Sequence, residues 1–341
     1  MVKTITIISL SSGILGETFI KHELDIGLER LKQYGVRVKF APHALCGMET
    51  LKAHPELRAQ DLLDAFRDKE TDMILCAIGG DDTYRLLPYL FEKDELKKAA
   101  SNKIFLGFSD TTMNHLMLHK VGIKSFYGQA FLPDICELDS QMLPYTAHFF
   151  EELLRTGTIR EIHQSEVWYQ SRSDFGIESV GSQMPSFKNQ GFELLQGSGT
   201  FSGEILGGCI DSIYDIFNSD RYADSPDVCR KYGLFPSPED WKGKILLLES
   251  SEEQPTPEKY RRMLEALKQT GVFGVLAGVL IGKPINEKYF AEYKKLLIQV
   301  IDDPALPIVC NINVGHATPR CIIPFGVQAA VDVERQVISF S

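Results

Sequence analysis

With 341 residues the chain is longer than the roughly 250–300 residues that one hydrophobic core usually organises, so two domains are expected. A hydrophobic fraction of 44% beside 24% charged residues suits a soluble globular protein, and no apolar run approaches the roughly 20 residues of a bilayer-crossing helix. The 36 Lys and Arg against 46 Asp and Glu leave a formal charge of −10; nucleic acid or an anionic membrane would be bound against the field of the whole molecule, so small molecules are the expected partners.

The opening residues Met1 to Leu10 carry one lysine and alternate apolar residues with threonine, which reads as a first β-strand, not a secretory leader, and points to the cytoplasm. Strand and helix patterns then alternate. Strands are expected at 4–9, 36–40, 73–78, 104–106 and 124–127, with helices near 17–34, 55–69, 83–90 and 110–120. This rhythm implies βαβ units and an N-terminal α/β domain over 1–155 with a mostly parallel sheet and flanking helices. Periodicity fades from about Phe149 to Gly199, so 156–200 reads as a connecting region with exposed loops. Regular signals return over 201–341. Strands are expected at 200–206, 244–248, 275–281 and 307–311, with two short ones near 321–323 and 327–333. Helices are expected from Pro257, with Thr256 as its cap, and over 287–300. The C-terminal domain is therefore mixed α/β. Seven cysteines without a CxxC pair read as buried, reduced thiols.

Three polar residues follow the ends of apolar strands: Ser109 after 104–106, Glu249 after 245–248, and His316 just beyond 308–312. Ligands of open α/β sheets sit at such strand ends. A serine, an acid and a histidine are the parts of a nucleophilic relay, in which the imidazole takes the hydroxyl proton and the acid fixes the ring. Each residue also has a plainer reading: Ser109 as a helix cap, Glu249 as the start of a solvated acidic run with Glu252 and Glu253, and His316 as a structural loop histidine. The segment Ala77-Ile-Gly79-Gly80-Asp81-Asp82-Thr83 is another strand end opening into a helix. The N–H of Gly80 and that of Asp110 are candidates for an oxyanion hole, while a tight turn is the plainer account. His115 and His119 share one helix face but lack a third ligand at suitable spacing, so no metal is expected.

The segments IGGDDTYRLLPYL (Ile78–Leu90), FLGFSDTTMNHL (Phe105–Leu116), FYGQA (Phe126–Ala130), GEILGGCI (Gly203–Ile210), WKGKILLLESSEE (Trp241–Glu253) and NINVGHATPR (Asn311–Arg320) resemble the LD-carboxypeptidases and the related microcin C self-immunity serine peptidases, in the right order along most of the chain. The resemblance implies Ser109 as nucleophile, Glu249 and His316 as its partners, and Gly80 with Asp110 as the oxyanion hole. It also implies a C-terminal domain that completes the site, a homodimer, no cofactor, and hydrolysis of an amide near a carboxylate or a nucleotide. The substrate is then a murein tetrapeptide or a peptidyl-nucleotide, and GGDDT is closer to the microcin branch. Cys209 replaces a common Asn. Glu253 stands where some microcin-type members have lysine, which disfavours an acidic aminoacyl group. Asp81 is a further expected substrate contact, and Trp168 an expected aromatic wall. Two other readings compete. GGDDT is similar to the GGDGT loop of NAD and lipid kinases, with Asp82 in place of a glycine, and a non-catalytic small-molecule-binding protein would keep the fold without needing Ser109. An α/β-hydrolase elbow would require a glycine where Thr111 stands.

Overall fold

The computed structural model describes residues 1–341 and divides them into two compact units, Met1–Thr158 with Arg172–Met184, and Ile159–Ser171 with Pro185–Ser341. In the first unit the strands are β1 (Thr4–Ile8), β2 (Arg37–Phe40), β3 (Met73–Cys76), β4 (Ile104–Gly107) and β5 (Ser125–Tyr127). They pair in parallel in the order β5-β4-β3-β1-β2. The helices are α1 (Lys21–Gln33), α2 (Met48–Ala53), α3 (Pro55–Arg67), α4 (Leu87–Phe91), α5 (Glu95–Ala99), α6 (Thr112–Lys120) and α7 (Pro144–Thr156). Every residue of β1 and β3 is buried, as strands covered on both faces by helices require. Strand order reverses between β1 and β3, and at that switch point the loops leaving neighbouring strands diverge and leave a crevice. Ser11, Gly79 and Gly80 lie on those two loops.

Two helices start differently from the periodic pattern. The stretch before α1 forms short 3-10 turns at Ile14–Gly16 and Thr18–Ile20, and Thr83–Leu86 is likewise 3-10 before α4. Helix α7, which runs into the stretch where periodicity fades, has Pro144 in its first turn and Gly157 in the left-handed conformation at its end.

The second unit contains β6 (Glu161–His163), β7 (Val167–Tyr169), β8 (Ser186–Lys188), β9 (Glu193–Gln196), β10 (Thr200–Cys209), β11 (Ile245–Glu249), β12 (Gly278–Gly282), β13 (Ile308–Ile312), β14 (Ile323–Phe325), β15 (Gln328–Asp332) and β16 (Val337–Phe340). Its helices are α8 (Ile210–Asp215), α9 (Ser225–Lys231), α10 (Pro238–Trp241), α11 (Pro257–Gln269) and α12 (Phe290–Ile301). Eight strands form one mixed sheet, β6-β16-β15-β10-β11-β12-β13-β9, while β7 and β8 pair separately. The four central strands β10 to β13 are parallel, and their outer neighbours are antiparallel. The Thr256 hydroxyl accepts from the Lys259 N–H, capping α11 as expected, with Pro257 in the first turn. The short strands β6 to β9 lie where no periodicity was visible, because three or four residues are too few to establish an alternation. Six cysteines are buried; Cys46 departs from the expectation and is exposed. No helix is long and apolar enough to cross a membrane.

Candidate active site

In the first unit β4 runs into Phe108, which is extended, and then into Ser109 at φ 65°. A non-glycine residue in this left-handed region is strained and persists only where its surroundings over-determine it. Here the Ser109 N–H donates to the Tyr127 hydroxyl (3.3 Å) and the Thr112 hydroxyl donates to the Ser109 carbonyl (2.6 Å). Ser109 does not cap the following helix: it is the first residue of a 3-10 turn, and Thr111 precedes α6 without a side-chain cap bond. The capping explanation is thereby replaced by a serine on a sharp strand-to-helix turn, the local geometry of a presented nucleophile.

Gly79 lies directly against it. A β-carbon on Gly79 would stand 2.6 Å from both Cβ and Oγ of Ser109 and 3.2 Å from the Asp110 nitrogen. One on Gly80 would run into the Ser11 hydroxyl. Absent side chains thus let Gly79 close on Ser109 and Gly80 on Ser11, which gives the two glycines a role beyond turning the chain. The carboxylate of Asp110 ties the loops together. It accepts from the Ser11 hydroxyl (2.6 Å), the Thr83 N–H (2.9 Å) and the Thr83 hydroxyl (2.6 Å). Burial nevertheless raises its pKa above the usual carboxylate range, against the lowering effect of those donors. Asp82 is buried in a fork with Arg58 at 2.5 and 3.1 Å, and Arg58 also donates to the carbonyls of Leu10 and Ser11. Where a phosphate loop would need a glycine for close approach, this chain has an internal ion pair, which removes the kinase analogy. Asp81, beside it, is half-buried.

The second unit assembles the other two candidates. Glu249 is the last residue of β11 and only 2% exposed, so the solvated-run reading does not hold for it. Its Oε2 accepts from the His316 main-chain N–H (3.1 Å) and lies 2.7 Å from Nδ1 of the same residue. One carboxylate oxygen therefore fixes both the backbone and the ring of a histidine 67 residues away. Gly315, at φ 85°, is required beside it, because a β-carbon there would strike Glu249 Oε2. Arg320 donates to the carbonyls of Gly315 and His316 and holds the loop from the other side. The asparagines before the loop are anchors: the Asn311 side chain donates to Asn189 and Gly191, and the Asn313 side-chain oxygen accepts from the Ser165 N–H.

Nε2 of His316 is also occupied, lying 2.9 Å from Glu252 Oε2. Burial alone would discourage protonation, but Glu249 and Glu252 outweigh it and raise the ring's pKa to about 10. The contact with His316 holds Glu252 down at about 2, against desolvation. Cys209 pairs with Glu249 across β10 and β11, and ligand atoms of Cys209, Glu249 and His316 lie within 4.8 Å of one another. Burial and the neighbouring Glu249 push the thiol pKa well up, so it stands there protonated, while Glu249 and Nδ1 engage each other. The trio suits proton handling better than metal ligation.

Glu253 bonds Arg221 and, at 3.0 Å, Lys259; Arg221 also reaches Asp215 at 3.2 Å. Trp168 on β7 stacks on Phe187 at 4.7 Å, with the Lys283 ammonium 5.2 Å from its ring centre. His115 is a core residue: its ring nitrogens contact the Ser125 hydroxyl (2.7 Å) and the Gly107 carbonyl (3.1 Å), and burial lowers its pKa to about 3. Sequence reasoning missed Ser11, Thr83, Arg58, Glu252, Gly315 and Arg320. Of these, Thr83, Glu252, Gly315 and Arg320 lie within the family-like segments, whereas Ser11 and Arg58 carried no local signal.

Residues 5–128 match the LD-carboxypeptidase N-terminal domain and residues 202–331 its C-terminal domain. An MccF-like protein from Streptococcus pneumoniae, solved in complex with AMP, is 60% identical and superposes with a TM-score of 0.99, covering 100% of this chain and 99% of that one. A putative carboxypeptidase of Treponema pallidum is 29% identical over 91% of this chain and 85% of its own length. The microcin C7 self-immunity protein MccF of Escherichia coli is 25% identical over 83% of this chain and 78% of its own length.

Proposed function

The chain belongs to the LD-carboxypeptidase family of serine peptidases, and on that premise we propose that Ser109, His316 and Glu249 act as its catalytic triad, with the N–H groups of Gly80 and Asp110 as the oxyanion hole. Ser109 Oγ attacks the scissile carbonyl while Nε2 of His316 takes its proton. Glu249 keeps Nδ1 protonated and steadies the imidazolium that forms. The negative oxygen of the tetrahedral intermediate is met by preformed backbone donors, each typically worth about 10²–10³ in rate. His316 then passes the proton to the leaving group, and water repeats the sequence on the acyl-enzyme. The observation that carries this reading is the single Glu249 oxygen holding both N–H and Nδ1 of His316, an orientation a merely structural loop histidine has no need of.

For the substrate, the AMP bound by the 60%-identical relative favours an amide joining an aminoacyl or peptidyl group to a nucleotide over a murein tetrapeptide. Trp168 offers a flat aromatic face for such a ligand, and Asp81 and Cys209 are further contacts. Glu253 disfavours an acidic acyl group, its charge partly offset by Arg221 and Lys259. A cytoplasmic homodimer completes the reading, and light scattering at micromolar concentration tests its assembly.

The deciding experiment compares hydrolysis of an aminoacyl-sulfamoyl adenosine with release of the terminal D-amino acid from a murein tetrapeptide. The first should be cleaved, and Ser109→Ala should reduce turnover by at least about 10³-fold. Turnover that survived Ser109→Ala would remove the nucleophile, and cleavage of the tetrapeptide alone would move the protein to the carboxypeptidase branch.

A further inference from the structure

We propose that Glu252 is a latch on His316, its carboxylate occupying Nε2 and having to leave before that nitrogen can take a proton from a serine hydroxyl. The proposal rests on His316 being the general base. The contact, 2.9 Å from Nε2 to Oε2, lies on the ring nitrogen opposite the one Glu249 engages. The imidazole is thus held between two carboxylates, the arrangement that suits imidazolium and not the neutral base.

The two carboxylates differ in how they are held. Glu249 is locked in a strand and buried, whereas the Glu252 side chain is 69% exposed and sits in the loop between β11 and α11. Its neighbours are tethered: the Ser251 N–H donates to the Asp211 carboxylate (3.0 Å), the Gln254 N–H to the Ser251 carbonyl (3.1 Å), and Glu253 bonds Arg221 and Lys259. The backbone thereby aims Glu252 at the ring, where its own main-chain N–H and the pull of Arg221 help to hold it, while its exposure leaves the side chain room to rotate into solvent. Rotation, with loss of one proton from the ring to solvent, converts the latched imidazolium into a base with Nε2 open. The other ionisable groups around His316 are Glu249 on β11, Cys209 on β10, Asp211 on α8 and Arg320 on its own loop, while Arg221 and Lys259 pair with Glu253, the residue after the latch. None of these is exchanged in the transition, so the charge change belongs to Glu252 and the ring.

Glu252 is accordingly a positioning residue that sets the pH at which the enzyme becomes active. The test is Glu252→Gln, with Glu252→Asp as the charge-retaining control, read as the pH profile of kcat/KM and as the 15N titration of His316, assigned by its loss in His316→Asn. Glu252→Gln should move the acid limb down by at least about one pH unit, raising kcat/KM on that limb about tenfold and leaving the alkaline plateau unchanged. The His316 titration should move with it, and Glu252→Asp should retain most of the wild-type limb. An unmoved limb and titration, or an equal loss of activity at every pH, would overturn the latch. If His316→Asn itself kept full turnover, the failure would lie in the triad assignment and not in Glu252.

Discussion

Gly79→Ala tests whether the 77–83 loop is shaped to fit Ser109. The new methyl carbon would stand 2.6 Å from Cβ and Oγ of Ser109, where comfortable contact needs about 3.5–4.0 Å. Something must move by about 1 Å. The Ser109 backbone is pinned by Tyr127 and Thr112, and the Asp110 carboxylate by Ser11 and Thr83, so the strain falls on the hydroxyl and on the Gly80 N–H. A misplacement of about 1 Å at reacting atoms costs about 10²-fold, so kcat/KM should fall about that far, while overpacking costs about 1–3 kcal/mol of stability. Both are measurable with the aminoacyl-sulfamoyl adenosine assay and denaturant unfolding. In Gly79→Ala/Ser109→Gly the clash with Cβ and Oγ and the positive-φ strain are both gone and only the 3.2 Å approach to the Asp110 nitrogen remains, so most of the stability should return and activity should not. A Gly79→Ala enzyme within threefold of wild type would refute the close fit.

Two other expectations follow from the electrostatics. His316, raised to about 10 by its two carboxylates, contributes stability that is fully present below the ordinary histidine pKa of about 6.5 and is lost as pH rises through about 10. The Tm advantage of wild type over His316→Asn should therefore shrink across that window while kcat/KM rises. A constant advantage from pH 6 to 10 would contradict the assignment. Arg58→Met should strip buried Asp82 of its fork and leave it only the longer contact with Arg85 at 3.6 Å, costing up to about 3–5 kcal/mol in denaturant unfolding; a loss under about 1 kcal/mol would show that the fork is not needed.

Much of the architecture was legible because it rests on local periodicity. The fully buried runs Thr4–Ile8, Met73–Cys76 and Ile245–Glu249 stand out as continuous apolar segments between helical stretches, and Thr256 with Pro257 marks a helix start by chemistry confined to neighbouring residues. The short strands β6 to β9 were invisible because their partners, not their own residues, make them strands: β9 exists by pairing with β13 over a hundred residues later, and β6 by pairing with β16.

Residue types and strand ends single out Ser109, Glu249 and His316 as candidates, each with a plainer reading beside it, and it is the resemblance of the segments around them that gives them roles. Their surroundings depend on folding. That Glu249 is buried and not part of a solvated run, that Gly79 faces Ser109, that Asp110 binds Ser11 from 99 residues away, and that Glu252 caps His316 are all contacts between remote segments. Spacing along a chain carries no information about such distances; only packing brings these groups within the few ångströms over which desolvation and charge set their protonation.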